Sequence, residues 1–415
     1  MTIDLTVQKD NNKSISLLFI IYALITSAVY ILPVAKLSIP YVFAGTLMLL
    51  SVVFFAFVKS DWFEVAFWLC FASLLQFALG TLISGVAVGE SINEFIRNVR
   101  FFVPALWGAF ALRYSTLKQK KLFLFLFAIL LLYILLNTTA ALKENPMIAR
   151  ELAQNKQDSS SEINAFRRNN VGGFEFSYMM GIVTICLAEV VLKAKKLLVR
   201  LLSAMAVFFC FSYIIQTMYT TLLVLTFIGV VVLIFFNFKS PLSKFLLIIA
   251  ALVILFFIGD IFTLLGEVFP SESVLHEKFV NLSRAVSEKD ATITGSRPER
   301  IAASLENFVQ HPVFGRYDLS SSPHSTVFGC LETYGIVGFG LLVFVFAKMT
   351  RTVLGGIKDI GGDRKLFYTV LIYLIALAFL NPVNYVFELT IAAFFIVPMV
   401  CEFIGEQKAV EEEEQ

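Results

Sequence analysis

The chain is dominated by long apolar segments, and these constrain its fold more than any other feature of the sequence. A helix needs about 20 apolar residues to cross a bilayer, and about twelve segments satisfy that requirement. They span residues 15–32, 38–58, 63–84, 98–112, 121–142, 172–192, 197–215, 217–238, 245–266, 325–347, 366–383 and 386–404. Charged residues make up only 15% of the chain, against about a quarter in soluble domains. We therefore predict an all-α, polytopic protein with about 12 transmembrane helices, in a single membrane domain over residues 1–415.

Lysine and arginine in the short loops predict the orientation. The first apolar run is too long for the core of a typical signal peptide, so we expect it to be the first span. With twelve spans, the basic clusters and both termini fall on one side, which the positive-inside rule makes cytoplasmic. The clusters are Arg113, Lys118, Lys120 and Lys121; Lys193, Lys195, Lys196 and Arg200; Lys239 and Lys244; and Lys348, Arg351, Lys358, Arg364 and Lys365. Two long segments, 143–170 and 267–323, are then external.

The larger external segment carries the pattern of two helices. Between residues 272 and 287, apolar residues recur at helical spacing, which predicts an amphipathic helix on the membrane surface or across the spans. Those residues are Leu275, Phe279, Leu282 and Val286. Ser296-Arg297-Pro298-Glu299 then matches a capping box with proline in the first turn. We expect this second helix to end near Gln310, before Pro312.

Arginine is unexpectedly frequent on the predicted external side. The external or near-external arginines are Arg97, Arg100, Arg150, Arg167, Arg168, Arg284, Arg297, Arg300 and Arg316. One interpretation is that they are solvated or contact lipid headgroups. The other is a cationic bowl for an anion that enters from the membrane, because guanidinium binds phosphate oxygens bidentately and stays charged.

His324 is the histidine with the most informative setting. Pro323 before it is expected in the first turn of the tenth span, where the helix dipole would favour neutral imidazole, the form that a general base needs. A structural role at a helix start is the alternative. We expect His276 and His311 to be structural.

Several carboxylates lie within apolar runs and are costly in lipid unless they face a cavity or a partner. They are Glu175, Asp260, Glu332 and Glu388. Glu332 lies eight residues after His324, so on one helix the two side chains would point in similar directions. Glu332 is predicted either to assist the histidine or to pair with an arginine.

Some kinds of chemistry have no signature in the sequence. It contains no Walker A loop, no His-Glu-x-x-His pair and no acidic cluster typical of a Mg²⁺ site. The five cysteines lie inside apolar runs without metal-ligand spacing. A net charge of +2 gives no reason to expect nucleic-acid binding. We therefore expect neither a metal nor another cofactor.

Two motifs resemble those of a known family. His324-Ser325, nine residues and Gly335-Ile336-Val337-Gly338 resemble the His-[Asn/Ser/Gln]-x9-Gly-x-x-Gly signature of the bacterial O-antigen ligase and polymerase superfamily. Upstream, Thr294-Gly295-Ser296-Arg297, a short helix and His311-Pro312-Val313-Phe314-Gly315 resemble its Arg-helix-Pro-x-x-Gly segment. The topology, with a large loop between spans nine and ten, is also similar.

The resemblance implies a metal-independent glycosyltransferase with a GT-C-like fold, in the bacterial plasma (inner) membrane. The donor would be a glycan on undecaprenyl diphosphate at the outer face. Arg297 corresponds to the family's diphosphate-contacting arginine and His324 to its essential histidine. We add further expected substrate-binding residues, namely Arg167, Arg168, Arg300, Arg316, Arg97, Arg100 and Glu332.

One departure from the family pattern bears on the reaction. Ligases of the family carry an arginine early in the eighth span after a Gln-Thr or similar pair, whereas Gln216-Thr217 is followed here by Met218-Tyr219. This favours a glycan polymerase over a ligase that transfers the glycan to lipid A–core. A chain-length regulator is a further candidate partner. From other classes, a secondary transporter using Glu175 or Glu388 for protons, and a non-catalytic scaffold, remain alternatives.

Overall fold

The structure is a computed structural model that describes residues 5–38, 88–154, 161–288, 297–316, 325–383 and 386–414, with a few isolated positions between 50 and 82. Within these ranges every regular element is a helix. We number them α1 (Leu5–Ile31), α2 (Pro33–Ser38), α3 (Val88–Tyr114), α4 (Leu117–Glu144), α5 (Ile148–Gln154), α6 (Ser161–Arg168), α7 (Phe174–Lys193), α8 (Leu197–Gln216), α9 (Thr220–Asn237), α10 (Pro241–Phe256), α11 (Ile258–Glu267), α12 (Val274–Ser287), α13 (Arg297–Gln310), α14 (Thr326–Asp359), α15 (Lys365–Leu380), α16 (Phe387–Ile391), a π-helical turn (Ala392–Ile396) and α17 (Val397–Glu414).

Many of these helices have the length and composition of membrane spans. In the described part of the chain, 6 helices are long and apolar enough to cross a membrane, or 7 if the bent pair α10 and α11 is one span. Three shorter apolar helices are Ser16–Ile31, Phe101–Tyr114 and Lys365–Leu380. The predicted spans 38–58 and 63–84 lie almost wholly outside the described residues. The all-α, multi-helix membrane architecture is confirmed, and the count of twelve spans remains a prediction.

The bundle is centred on a buried aromatic cluster around Trp107, whose side chain is fully buried. Its ring meets Phe19, Phe387 and Phe395 edge-on, with centroids 6.5, 5.9 and 5.7 Å away. These contacts join α1, α3, α16 and the π-helical turn. Edge-to-face aromatic packing adds to the stabilisation that burial itself provides. The cluster therefore ties the N-terminal helices to the last predicted span.

The predicted ninth span is not straight. α10 and α11 are bent by 64° relative to each other, at Phe257. Asp260 lies in the first turn of α11, just after the bend, and is exposed. The expectation that this carboxylate faces a cavity or a partner stays a prediction.

Both helices predicted in the segment 267–323 are present, as α12 and α13. Ser273 caps α12 by accepting a hydrogen bond from the amide of His276. The apolar face of α12 packs on α11, where the Phe279 ring lies 6.3 Å from that of Phe262. α13 ends at Gln310, before Pro312 as predicted, and packs against α14. The two halves of the external segment are thus attached to different helices of the bundle.

Two buried charged side chains, Lys120 and Glu388, are paired with opposite charges. Lys120 of α4 lies 2.6 Å from Glu402 of α17, and only 3% of the lysine side chain is exposed. Glu388, 4% exposed, lies 2.5 Å from Lys36 of α2. A buried charge is costly unless an opposite charge neutralises it. The prediction that Glu388 faces a partner is therefore confirmed.

Candidate functional site

The two sequence motifs lie against each other. The amides of Ile336 and Val337 in α14 donate to the carbonyls of Pro312 and Val313, at 2.9 and 3.2 Å. In the opposite direction, the amide of Arg316 donates to the carbonyl of Glu332 at 2.9 Å. The segment after α13 thus binds α14 through the backbone. Residues separated by about twenty positions in the sequence form one unit here.

Two glycines make this docking possible. Gly335 interrupts the helical dihedral angles of α14 with φ 60° and ψ −171°, a conformation that is essentially restricted to glycine. A Cβ atom on Gly335 would lie 2.5 Å from the Gly315 amide nitrogen, and closer still to the Val313 carbonyl oxygen. Gly315 itself has φ 76° and packs on the backbone of Thr333 and Gly335. Side chains at either position would separate the two backbones.

Glu332 belongs to a polar group that the docking assembles. It is 3% exposed, and its Oε1 accepts a hydrogen bond from Asn307 Nδ2 in α13 at 2.7 Å. The other end of the same carboxamide, Asn307 Oδ1, lies 3.5 Å from Nη1 of the exposed Arg316. The predicted pairing of Glu332 with an arginine is thus indirect, with Asn307 between them.

The start of α14 is anchored to the end of α15. Ser325 is the N-cap and accepts a hydrogen bond from the Phe328 amide at 3.3 Å. The hydroxyl of Ser325 also donates to the carbonyl of Ala378 at 3.1 Å, and the amide of Thr326 donates to that of Asn381 at 3.0 Å. Ser325 thus caps α14, and Arg316 bonds the carbonyl of Glu332 in its second turn.

His324 itself lies outside the described residues. The helix start beside it is described, because Ser325 has the extended backbone of an N-cap (φ −141°, ψ 139°) and α14 begins at Thr326. The expectations for Pro323 in the first turn and for the alignment of His324 with Glu332 fall on residues outside the described ranges and stay predictions.

Three further predicted residues are described only by their backbone. Arg297 is the first residue of α13, as the capping pattern predicts. Arg97 and Arg100 do not lie at a helix start. α3 begins at Val88, so both are several residues inside a helix of 27 residues. The apolar pattern marks only the second part of α3, and for this reason the predicted span began at residue 98.

The remaining predicted arginines lie on two different helix pairs. Arg167 is half-buried and Arg168 exposed at the end of α6, which packs against α2. Arg300 is exposed in the first turn of α13, and α13 packs against α14. The structure thus groups Arg300 and Arg316 with Glu332 on the α13–α14 unit, and holds Arg167 and Arg168 on the α2–α6 unit.

A second polar region is a cleft of about 540 Å³ between both predicted external segments and the bundle. α5, α7, α9, α12 and α15 contribute to it. Its lining residues are Met147, Arg150, Tyr178, Met218, Tyr219, Thr220, Thr221, Val224, Leu225, Val274, Glu277, Lys278, Asn281, Leu282 and Leu380. The short connection between α8 and α9 borders the cleft and contains Met218 in the left-handed region, at φ 58°. Lys278 donates a hydrogen bond to the Met218 carbonyl.

Tyr219 joins this cleft to the first external segment. Its hydroxyl donates to the carbonyl of Ala149 at 2.7 Å, and its ring lies 5.7 Å from that of Tyr178. The hydrogen bond to Ala149 holds α5 against the bundle.

Sequence reasoning did not identify Asn307 or Lys278, and it counted Arg150 only as one external arginine among several. Asn307 follows Arg297 on the same helix and precedes the Pro-x-x-Gly segment. Its position between these two parts of the motif is the signal in the sequence that could have identified it. Lys278 occurs in an amphipathic helix, where a lysine is normally solvated. No signal in the sequence links it to Arg150, more than a hundred residues away.

Comparison with known protein families and with characterised proteins finds no match to this chain. Among the described residues, no three His, Cys, Asp or Glu side chains are grouped to hold a metal ion. The chemistry of the site must therefore be argued from its own residues.

Proposed function

We propose that the chain is a glycan polymerase, an inverting and metal-independent glycosyltransferase that joins undecaprenyl-diphosphate-linked repeat units of an O-antigen or another surface polysaccharide. It would act at the outer face of the bacterial plasma membrane. The observation that carries the proposal is the docking of Pro312–Gly315 on Gly335. This contact gives a structural reason for both glycine motifs, and it fixes Arg316, eight positions before His324 in the sequence, on α14.

The proposed reaction is a single displacement. A sugar hydroxyl of the incoming repeat unit attacks the anomeric carbon of the growing chain, and the bond from that carbon to the diphosphate oxygen breaks. His324 accepts the hydroxyl proton. Undecaprenyl diphosphate leaves with the bonding electron pair, and arginine stabilises the charge that develops on it. Attack opposite the leaving group inverts the anomeric centre.

Arg297, Arg300 and Arg316 are the arginines assigned to the leaving group, because all three belong to α13 or the segment that follows it. Asn307 has a positioning role in this scheme. Its carboxamide has one end on Glu332 and the other facing Arg316, so it restricts where that guanidinium can point. Losing an arginine that acts mainly in the transition state is expected to lower the rate about a hundredfold.

Transfer to lipid A–core is the second candidate activity. The sequence Met218-Tyr219, where the ligases have arginine, favours the polymerase. Incubating purified protein with a lipid-linked oligosaccharide, with and without a lipid A–core acceptor, distinguishes the two. A polymerase lengthens the oligosaccharide without the acceptor, whereas a ligase forms product only when the acceptor is present.

Substitutions at His324 and Arg297 test the mechanism in cells. We expect His324→Ala to reach the membrane at normal abundance and to make no long glycan. Arg297→Lys should also fail substantially, because an ammonium group cannot reproduce the planar fork on a diphosphate. Effects within one catalytic unit are not additive, so the double variant should be little worse than the worse single variant.

Membrane abundance and polymer length should be measured in the same cells. Arg284→Lys is the matched control for Arg297→Lys, since Arg284 is an exposed arginine of the same external segment. Normal polymer from normally expressed His324→Ala would remove the histidine from the mechanism. Reduced abundance with activity retained in the surviving protein would instead assign His324 a structural role.

A further inference from the structure

α13 carries an exposed apolar stripe. Ala302, Leu305 and Val309 follow one another at spacings of three and four residues, so they lie on one face of the helix. All three are exposed, Val309 to 72%. They lie beside the buried face of the helix, which contains Ser304 and the half-buried Phe308. The apolar part of α13 is therefore wider than the part that the protein covers, as in helices that lie in a membrane surface.

The exposed apolar surface continues beyond the end of α13. Val313 and Phe314 follow in the docked segment, and both are exposed, Phe314 to 46%. The amide of Val337 donates to the Val313 carbonyl, and Ile336 and Val337 are themselves exposed on α14. One apolar surface thus runs from α13 across the docked segment onto a helix that qualifies as a membrane span.

The length of α14 places this surface at the edge of the bilayer. α14 has 34 residues, about 50 Å of helix against about 30 Å of hydrocarbon, so only part of it lies in lipid. Its predicted cytoplasmic basic residues are Lys348, Arg351 and Lys358. Counting about 20 residues back from these ends within residues 328–338. Gly335, where α14 is interrupted, falls in that stretch, so the docked segment lies at the outer edge of the hydrocarbon.

The two edges of the buried face of α13 are attached to opposite sides of the break in α14. Asn307, on the polar edge, bonds Glu332, which precedes the break. Leu305 lies on the other edge, two helical turns before Pro312, whose carbonyl accepts from the amide of Ile336 after the break. The apolar stripe is therefore on the bilayer side of α13, and its polar face is turned to the solvent.

The backbone of the docked segment is paired in the way that contact with lipid requires. The carbonyls of Pro312 and Val313 accept from amides of α14, and the Gly315 amide donates to the His311 carbonyl at 3.1 Å. Backbone groups without partners are costly where no water can reach them. These hydrogen bonds allow a non-helical segment to lie at the membrane surface.

We propose that α13 and the docked segment lie in the outer surface of the bilayer, with Leu305, Val309 and Phe314 in contact with lipid acyl chains. The partner is the hydrocarbon of the outer leaflet, and no particular headgroup is needed. The contact would hold α13 at a fixed height, so that Arg300, exposed in its first turn, stays level with the membrane surface. This inference requires only that α14 spans the membrane, and it goes beyond the proposed polymerase.

Spin labels at single cysteines test this placement in the full chain, in a cysteine-free background reconstituted into phosphatidylcholine vesicles. Oxygen concentrates in hydrocarbon and a nickel chelate stays in water, so the ratio of their collision rates with the label reports its depth. We expect a ratio several-fold higher for Val309→Cys and Leu305→Cys than for Gln310→Cys, which is exposed on the polar face of the same helix. Leu132→Cys, exposed in α4, provides the reference for a site in lipid.

Two results would overturn the proposal. Equal ratios at Val309 and Gln310 would place the whole helix in water. Low collision rates with both reagents at Val309 and Leu305 would show that protein covers the stripe, either a second copy of the chain or another partner. Unfolding temperatures equal to that of the cysteine-free parent would confirm that each labelled variant is folded.

The outcome is separable from that of the proposed function, because no glycan enters the measurement. A protein with Val309 in lipid that lengthens no oligosaccharide would refute the polymerase and leave the membrane contact intact. A working polymerase with Val309 in water would refute the membrane contact alone.

Discussion

Replacing Gly335 by alanine tests whether the docking of the two motifs holds the external segment in place. The backbone of Gly335 lies in a region that other residues rarely adopt, and occupying it costs on the order of 1–3 kcal/mol for a residue with a side chain. The new Cβ would also meet the Gly315 amide nitrogen at 2.5 Å, and the Val313 carbonyl oxygen more closely. The docked arrangement therefore becomes unfavourable in the Gly335→Ala variant.

The chain has one other response, which is to straighten α14. Ile336 and Val337 would then regain bonds to the carbonyls four residues earlier. The carbonyls of Pro312 and Val313 and the amide of Arg316 would lose their present partners. Each such bond contributes about 0.5–1.5 kcal/mol. Straightening loses three bonds and regains two, and keeping the docked backbone costs the strain, so either response destabilises the fold and we expect a loss of about 1–3 kcal/mol.

Thermal unfolding of the detergent-solubilised protein measures this loss. Gly340→Ala is the matched control, because Gly340 lies in the same helix and a Cβ there meets no atom within 4 Å. It should unfold at or above the wild-type temperature, since alanine favours helix over glycine. Gly315→Ala should lower the stability of the protein as Gly335→Ala does. The double variant should lose less stability than the two single variants lose together. A Gly335→Ala protein with the unfolding temperature of wild type would refute the docking.

Three further outcomes are expected. Glu402→Gln should destabilise by about 3 kcal/mol, because it leaves the buried Lys120 without its counter-ion, whereas Glu288→Gln in an exposed pair should change stability by less than about 0.5 kcal/mol in the same denaturation assay. In a cysteine-free background, an impermeant thiol reagent applied to intact cells should label Ser287→Cys and not Lys195→Cys, and the reverse pattern would invert the topology. Activity should survive EDTA, and loss of activity that Mg²⁺ restores would contradict a diphosphate site built from arginine.

Local signals in the sequence were enough to predict the helices and several of their ends. The apolar periodicity around Phe279 reflects the face that packs on α11, and Pro312 ends α13 because the residue before a proline avoids helical angles. Ser296 and Glu299 matched a capping box, and α13 begins at Arg297 as that pattern requires. In each case the residues responsible are close together in the chain.

The breaks in the helices could not be predicted in this way. α14 is interrupted at Gly335 because a segment some twenty residues earlier supplies hydrogen-bond partners, and a pair of glycines in an apolar run does not by itself show that contact. The bend at Phe257 interrupts an apolar stretch without proline. This bend is explained only by a tertiary contact, the packing of α11 on α12. The same limit explains why Arg150 and Lys278 were not recognised as lining one cleft.

The break in α14 also bears on the transporter alternative. In secondary transporters, interrupted helices typically direct unpaired backbone groups into a cavity, where they bind the substrate or the coupling ion. Here the interruption leaves few such groups, because Ile336 and Val337 donate to the 312–313 carbonyls and Glu332 accepts from Arg316. Glu388, a carboxylate considered for proton transport, is held at 2.5 Å from Lys36. The break therefore fits a helix that holds the 312–316 segment better than one that binds an ion, which counts against the transporter alternative.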